Sequence, residues 1–279
     1  MKTQQAPRTR QGVAAAACSP PGLGETVTDR LARAIERLED DSLEPGWVVH
    51  EVRKDLKRVR ALLRLSGDQL PTRRPEKRCA AAARKLSGLR DADAVSETVE
   101  RLRLRAEPRE LEALDGLREW LMRRAERPGA GGLPAPVAAE SAALLREARR
   151  EVGALPFERM DAAALDAGLA DSWSDTATAF RRLVEQPALP RFHDFRKAVK
   201  RELHQRELCG RPLDDSERAM LKKLADVLGE LQDLSVLRDI LRDAGRWRGP
   251  VKKLVRRTLR ELKARALRLG ESRYPESRS

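Results

Sequence analysis

The chain reads as all-α, and three observations carry that expectation. Of its 279 residues, 41% are hydrophobic and 36% charged, with Ala, Leu, Arg and Glu dominant, which is the composition of amphipathic helices. Apolar residues recur at three- and four-residue spacing along most of the chain, and no convincing run of β-branched alternation interrupts them. Pro, Gly and Asp sit at the ends of those periodic stretches, where they start and stop helices. A chain of roughly 300 residues buries about 75% of its unfolded surface, so the core needs no disulfide or metal.

Residues 1–22, rich in Ala, Pro and Gln, are expected to form a disordered tail. Lys2, Arg8 and Arg10 ahead of Val13 to Cys18 imitate a signal peptide, but that apolar run is about six residues, short of the 7–15 an h-region needs. A first helix is expected over about Thr26 to Glu39, with Val27, Leu31, Ile35 and Leu38 on one face. A second opens at Pro45, a favourable first-turn residue, and stops at Ser66-Gly67. Pro75 opens a third, ending at Leu86-Ser87-Gly88, and a fourth runs from Asp91 to before Pro108. A fifth covers Arg109 to Glu126. The Pro128 to Pro136 stretch is the clearest breaker and a candidate midpoint. Further helices follow at about Val137 to Val152, Asp161 to Glu185, Pro190 to Cys209, Ser216 to Leu228, Asp233 to Ala244, and Pro250 to Leu269. No stretch approaches ~20 apolar residues, so no membrane span is expected.

Charge narrows the function. Lys and Arg number 57 against 44 Asp and Glu, a formal net charge of +13, which predicts an anionic partner. Aromatics are scarce: Phe 4, Trp 4, Tyr 1. Cys18, Cys79 and Cys209 are odd in number and lack Cys-x-x-Cys spacing, so a disulfide framework or structural zinc is not expected, and a reducing cytoplasm fits better.

The sequence also repeats itself. Val49-His50-Glu51-Val52-Arg53-Lys54-Asp55-Leu56-Lys57-Arg58 recurs as Phe192-His193-Asp194-Phe195-Arg196-Lys197-Ala198-Val199-Lys200-Arg201, and the segment around Asp91 recurs around Asp233. From His50 to His193 the offset is 143 residues, and from Asp91 to Asp233 it is 142. Two matched motifs in one order at nearly one offset indicate a duplication into halves of about 23–155 and 156–272, with 273–279 as a C-terminal tail.

On a helical wheel, Val49, Val52, Leu56, Val59 and Leu63 form an apolar stripe that must face a core. His50, Arg53, Lys57, Arg60 and Arg64 lie on the arc beside it. Phe192, Phe195 and Val199 repeat the stripe, flanked by His193, Arg196 and Lys200. If the halves pack about a pseudo-twofold axis, both basic arcs face a shared groove whose cations repel unless a polyanion fills it. The plainer alternative has the stems snorkelling over the core edge, with heads paired to Glu51, Asp55, Asp194 and Asp91. The groove is preferred because the cations recur between the halves while the acids mostly do not. Asp91 and Asp233 suit helix N-capping, with orientation of a groove cation as the alternative. Metal binding by the histidines is disfavoured, because their helical neighbours are cations; His204 has no counterpart and no expected role. Lys252, Arg256, Arg260 and Lys263 either extend the basic surface or form a solvated face.

The paired His-x-x-Arg-Lys-x-x-Lys-Arg helices, each followed by a Leu-containing turn and an Asp, resemble the CHAD family, the conserved histidine α-helical domain, over about residues 23 to 272. The resemblance implies two four-helix bundles related by pseudo-twofold symmetry around a central basic cavity. It also implies non-catalytic binding of inorganic polyphosphate, no cofactor, and association with cytoplasmic polyphosphate granules. Carried over by position, the ligand residues are His50, Arg53, Lys57, Arg58 and Arg60 in the first half and His193, Arg196, Lys197, Lys200 and Arg201 in the second, with Lys54 and Arg64 added from the same helix. Arg58 and Arg201 rank lower, being further round the wheel. The chain departs from the pattern at Glu202-Leu203-His204, and at Trp173 to Ala177, where no cation follows until Arg181. The second half is therefore expected to make fewer phosphate contacts.

Nucleic acid is the nearest rival, with other polyanions behind it. Base recognition needs aromatic platforms among the basic residues, and here only the core-facing Phe192 and Phe195 are interleaved with them. A phosphoanhydride hydrolase would need clustered carboxylates for metal, as in the Glu-x-Glu-x-Lys motif of the CYTH domains to which such modules are fused, and that motif is absent.

Overall fold

The computed structural model describes residues 20–66, 69–87, 91–125, 132–209 and 213–275. Along them run ten α-helices: α1 (Pro20–Glu39), α2 (Pro45–Leu65), α3 (Arg73–Lys85), α4 (Asp91–Arg103), α5 (Pro108–Ala125), α6 (Ala135–Gly153), α7 (Ala162–Glu185), α8 (Leu189–Leu208), α9 (Asp215–Asp243) and α10 (Gly249–Arg273). A 3-10 turn, Phe157–Arg159, precedes α7. The all-α expectation holds, with no strand among the described residues.

Two expectations about elements need correction. α1 begins at Pro20, six residues ahead of Thr26, and Leu23 is fully buried, so the helix enters the stretch expected to be tail. Residues 1–19 lie outside the described residues. The helices expected over Ser216 to Leu228 and Asp233 to Ala244 are one continuous α9. Gly229 lowers helix propensity by about 1 kcal/mol relative to Ala, but Leu224, Leu228, Leu231, Leu234 and Leu237 are all buried on both sides of it. A continuous apolar face overrides one glycine.

Two hydrophobic cores result, and they do not follow the two halves of the sequence. One is built from α1, α2, α3, α6 and the start of α7. The other takes α8, α9, α10 and the end of α7, together with Val95, Val99 and Leu102 of α4 and Leu114, Leu117 and Leu121 of α5. The cores do not coincide with the sequence halves that meet at 155/156: α4 and α5 of the first half pack against α9 and α10, while α6 completes the first core. Ion pairs fix the transfer, Arg101 to Asp233 at 2.9 Å, Arg105 to Glu230 at 2.8 Å and Arg257 to Glu110 at 2.8 Å. The Pro128 to Pro136 breaker, of which 126–131 lie outside the described residues, joins α5 in one core to α6 in the other.

α7 serves both cores, and its passage over α2 is close. A β-carbon at Gly168 would collide with the Leu65 carbonyl oxygen. Gly168→Ala is expected to destabilise the protein by about 1–3 kcal/mol, because backbone cannot yield as a side-chain tip can. A denaturant midpoint equal to that of the unmodified protein would contradict this close approach.

Candidate functional site

The motif helices form where their sequence says they should. Glu44 caps α2, its carboxylate accepting from the backbone N–H of Gly46 at 2.8 Å and Trp47 at 2.5 Å, and Pro45 presets the first turn. Val49, Val52, Leu56, Val59 and Leu63 are buried, as are Phe192, Phe195 and Val199 of α8. The flanking cations are thereby held at the rim of each core. α2 and α8 run antiparallel where they cross, and the Gln205 side-chain amide donates to the Ala61 carbonyl there at 2.8 Å.

In the first half, much of the basic arc is paired. Lys54 sits 3.0 Å and His50 3.6 Å from Glu51. Arg60 and Arg64 share Glu76 of α3, at 3.2 and 2.6 Å, a partner the wheel of α2 alone could not reveal. Arg53 donates to the Leu86 carbonyl at 3.1 Å, and Lys57 is exposed. Asp55, expected to pair with the arc, is buried instead between Arg30 at 2.9 Å and Arg37 at 2.6 Å. Asp91 opens α4, and its side chain lies outside the described residues. The snorkelling alternative thus describes Lys54, Arg60 and Arg64 well.

The second half differs. Arg196 and Lys200 line a cavity of about 610 Å³ with Arg101 of α4, Lys222 and Lys223 of α9, and Arg265 of α10. Among the described residues that line it, three carboxylates, Asp226, Glu230 and Asp233, accompany these six cations. Burial lowers the Arg196 pKa, against the pull of Asp233. Burial and then the neighbouring Arg196 charge lower that of Lys200. The Nε–H groups of Arg101 and Arg196 are buried with no acceptor among the described residues. Buried donors without acceptors are rare in folded proteins, and here both belong to residues that line one cavity.

Of the twelve residues expected to bind, this cavity gathers Arg196 and Lys200. Lys197 is exposed beside Asp194 at 3.8 Å. His193 Nδ1 lies 2.7 Å from Gln232 Oε1. Arg201 pairs with Asp175 at 2.8 Å, and burial lowers its pKa, with the like charge of Arg64 across the crossing acting in the same direction. Arg58 lies near Arg30 and Glu207. Asp233 is no N-cap, since it lies inside α9; it accepts from Arg101 and attracts Arg196, the orienting role held as the alternative.

Sequence reasoning missed Arg101, Lys222, Lys223 and Arg265. Arg101 comes from the transferred α4, for which no repeat spacing gives a signal. Arg265 lies beyond the α10 cations expected to extend the surface, and one of those, Lys263, instead places its ammonium 5.5 Å from the Phe192 ring centre. Lys222 and Lys223 follow from continuing the α9 face through Asp226 and Asp233 at helical spacing.

Among the described residues, no three His, Cys, Asp or Glu side chains come together as a metal site, and no helix is long and apolar enough to cross a membrane. Cys79 and Cys209 are buried, and burial pushes the Cys79 thiol up to about 12, well out of the reactive range.

Comparison with curated proteins and with solved structures finds no match. A family model, that of the CHAD domain, matches residues 23–242. The matched stretch holds both His-x-x-Arg helices and every cavity residue except Arg265, and on that coverage the chain belongs to the CHAD domain family.

Proposed function

We propose that the protein binds inorganic polyphosphate, without catalysis, in the basic cavity between α4, α8, α9 and α10. The observation that carries this is the excess of cations over carboxylates among the described residues that line the cavity, two of them arginines whose buried Nε–H groups have no acceptor among the described residues. Such a site is costly when empty and is relieved by charged oxygens, which form the stronger class of hydrogen bond. A phosphate polymer offers them in series, and the family resemblance points to the same ligand.

The crossing of α2 and α8 supports a contribution from the first half. Arg58 lies near Glu207 and Arg64 near Arg201. Shifted by the 143-residue offset of the repeat, Arg58 becomes Arg201 and Arg64 becomes Glu207, so the two neighbouring pairs are images of each other. A twofold axis perpendicular to two antiparallel helices turns equivalent arcs to the same side. The His50, Arg53 and Lys57 arc then extends the site of His193, Arg196 and Lys200 across the axis. Where the first half has Arg64, the second has Glu207, which makes the two ends unequal toward an anion. Cytoplasmic location at polyphosphate granules follows from this ligand and is part of the proposal.

The test is a competition of long-chain polyphosphate against single-stranded and duplex DNA at one ionic strength. Polyphosphate is expected to win, with affinity falling steeply in salt. Equal affinity for all three would reduce the cavity to a generic cation exchanger. Arg53→Ala combined with Arg196→Ala is expected to weaken the polymer with the fold intact, and unaltered binding by that double variant would remove both arcs from the site.

A further inference from the structure

Away from the cavity, the far end of the second core carries a surface of a different make. Trp120 of α5 has the guanidinium carbons of Arg124 and Arg246 at 5.7 and 5.0 Å from its ring centre, and Trp247 has that of Arg242 at 5.8 Å. Both indoles are partly buried against the core. Arg124, Arg242, Arg246 and Arg248 are exposed, and no carboxylate among the described residues pairs with any of them. Stacking on an indole holds a guanidinium in place through its face and leaves its N–H edge free, so the fork is preorganised for a charged oxygen.

The loop that presents these arginines is built for a fixed shape. Gly245 takes a φ of 66°, the Gly245 N–H donates to the Arg242 carbonyl at 3.0 Å, and the Arg246 N–H donates to the Leu241 carbonyl at 2.7 Å. Those two bonds are the Schellman closure of α9. A second left-handed glycine, Gly249 at 63°, turns the chain into α10. Arg246, Trp247 and Arg248 are thus held between two glycines, and they lie past residue 242, where the family match ends.

We infer that this arginine–tryptophan surface is a second anchor for the phosphate polymer held in the cavity, and that it makes binding selective for long chains. The inference rests on the polyphosphate reading of the cavity. Three features favour this occupant. The indoles already hold guanidiniums and pack against the core, so a nucleic-acid base would have to displace these contacts to stack there. The four forks are unpaired and exposed, which suits closely spaced anionic oxygens. From Asp233 in the cavity to Asp243 beside the surface, α9 advances roughly 15 Å, a span a long polymer covers and a short one does not. A second attachment on one chain is an intramolecular event, so it adds avidity without a new ligand.

The experiment compares tripolyphosphate with a long-chain polyphosphate on the full-length protein and on Arg242→Gln/Arg246→Gln, with thermal melting as a check of fold. The double variant is expected to bind tripolyphosphate as the unmodified protein does and to lose at least tenfold in affinity for the long chain. Trp120→Leu, which removes the platform and keeps the charges, is expected to lose part of the same advantage. Undiminished long-chain affinity in Arg242→Gln/Arg246→Gln overturns the inference, and so does an equal loss for both ligands. Poly-glutamate binding that depends on the two arginines, with no effect on the long polymer, would reassign the surface to an acidic protein. If the unmodified protein binds neither polyphosphate, the cavity reading itself has failed, an outcome distinct from a cavity that binds and a surface that does not.

Discussion

Replacing Arg196 and Lys200 together by methionine is expected to make the ligand-free protein more stable and the polymer complex much weaker. Both side chains are held with lowered pKa values, chiefly by burial, in a cavity where cations outnumber carboxylates. Methionine keeps the length and the apolar contacts of the stems while removing two charges that the fold does not fully compensate. Asp233 keeps Arg101, so no buried carboxylate is stranded. Replacing buried charges by apolar residues of similar size stabilises by about 1–4 kcal/mol in favourable cases, and each kcal/mol raises the melting temperature of a chain this size by roughly 2–4 °C. The same change removes two charged hydrogen-bond donors to phosphate, each worth about 1.5 kcal/mol or more, so affinity should fall on the order of a hundredfold. A variant that melts lower and binds as before would mean that these cations serve the fold and not a ligand.

The pH dependence has a definite sign. Lys200 is lowered from its ordinary 10.5 in the folded protein, first by burial and then by Arg196. In the alkaline window between the lowered value and 10.5, the unfolded chain binds more protons, so the ligand-free protein gains stability as pH rises there. Polymer binding returns an anionic neighbour to Lys200 and restores its proton, so affinity falls through the same window. Lys200→Met should flatten both trends, in calorimetry of the free protein and in titrations of the complex.

How much of this was legible in the sequence varied with the physics behind each feature. The helices of the motif were, because Pro45, the Val49 to Leu63 stripe and the Phe192, Phe195 and Val199 stripe are local statements about one helix. The continuity of α9 was not, since Gly229 is a local stop signal and the buried leucines that outvote it depend on tertiary packing. The repeat located Arg196 and Lys200, but duplication of sequence does not dictate which core a helix joins. α4 and α5 pack where Val95, Val99, Leu114 and Leu117 find partners, and that brings Arg101 to a cavity more than 90 residues along the chain from Arg196. Pairing of Arg60 and Arg64 was hidden because Glu76 belongs to the neighbouring helix. Each miss is an interaction between elements.

The largest loss of stability is expected from Glu202→Ala, at the position where the chain departs from the family pattern. Glu202 is fully buried on α8, one residue past Arg201 and two past Lys200. Its carboxylate accepts from the Tyr274 hydroxyl at 2.6 Å, from Arg273 at 3.1 Å and from Arg206 at 3.3 Å. Tyr274 in turn packs among Trp173, Phe180 and Phe195, so the end of α10 is fastened to α8 through one carboxylate and one aromatic cluster. Removing the acid leaves two guanidiniums and a phenol facing an apolar space, which costs about 3–5 kcal/mol when one partner of a buried pair is lost. Tyr274→Phe deletes a single donor and keeps the ring, so about 1–2 kcal/mol is expected. Burial and the Glu202 charge raise the Tyr274 pKa, so ultraviolet titration should show its phenol resisting ionisation in the native protein and titrating normally in denaturant. If Glu202→Ala costs no more than Tyr274→Phe, the two arginines find water when the acid is gone and the cluster is not a buried clamp. Because Glu202 sits on the helix that carries Lys200 and Arg201, the clamp also links the C-terminal helix to the basic arc. Tyr274→Phe, which leaves every cavity cation in place, should weaken polymer binding only as far as it loosens α8.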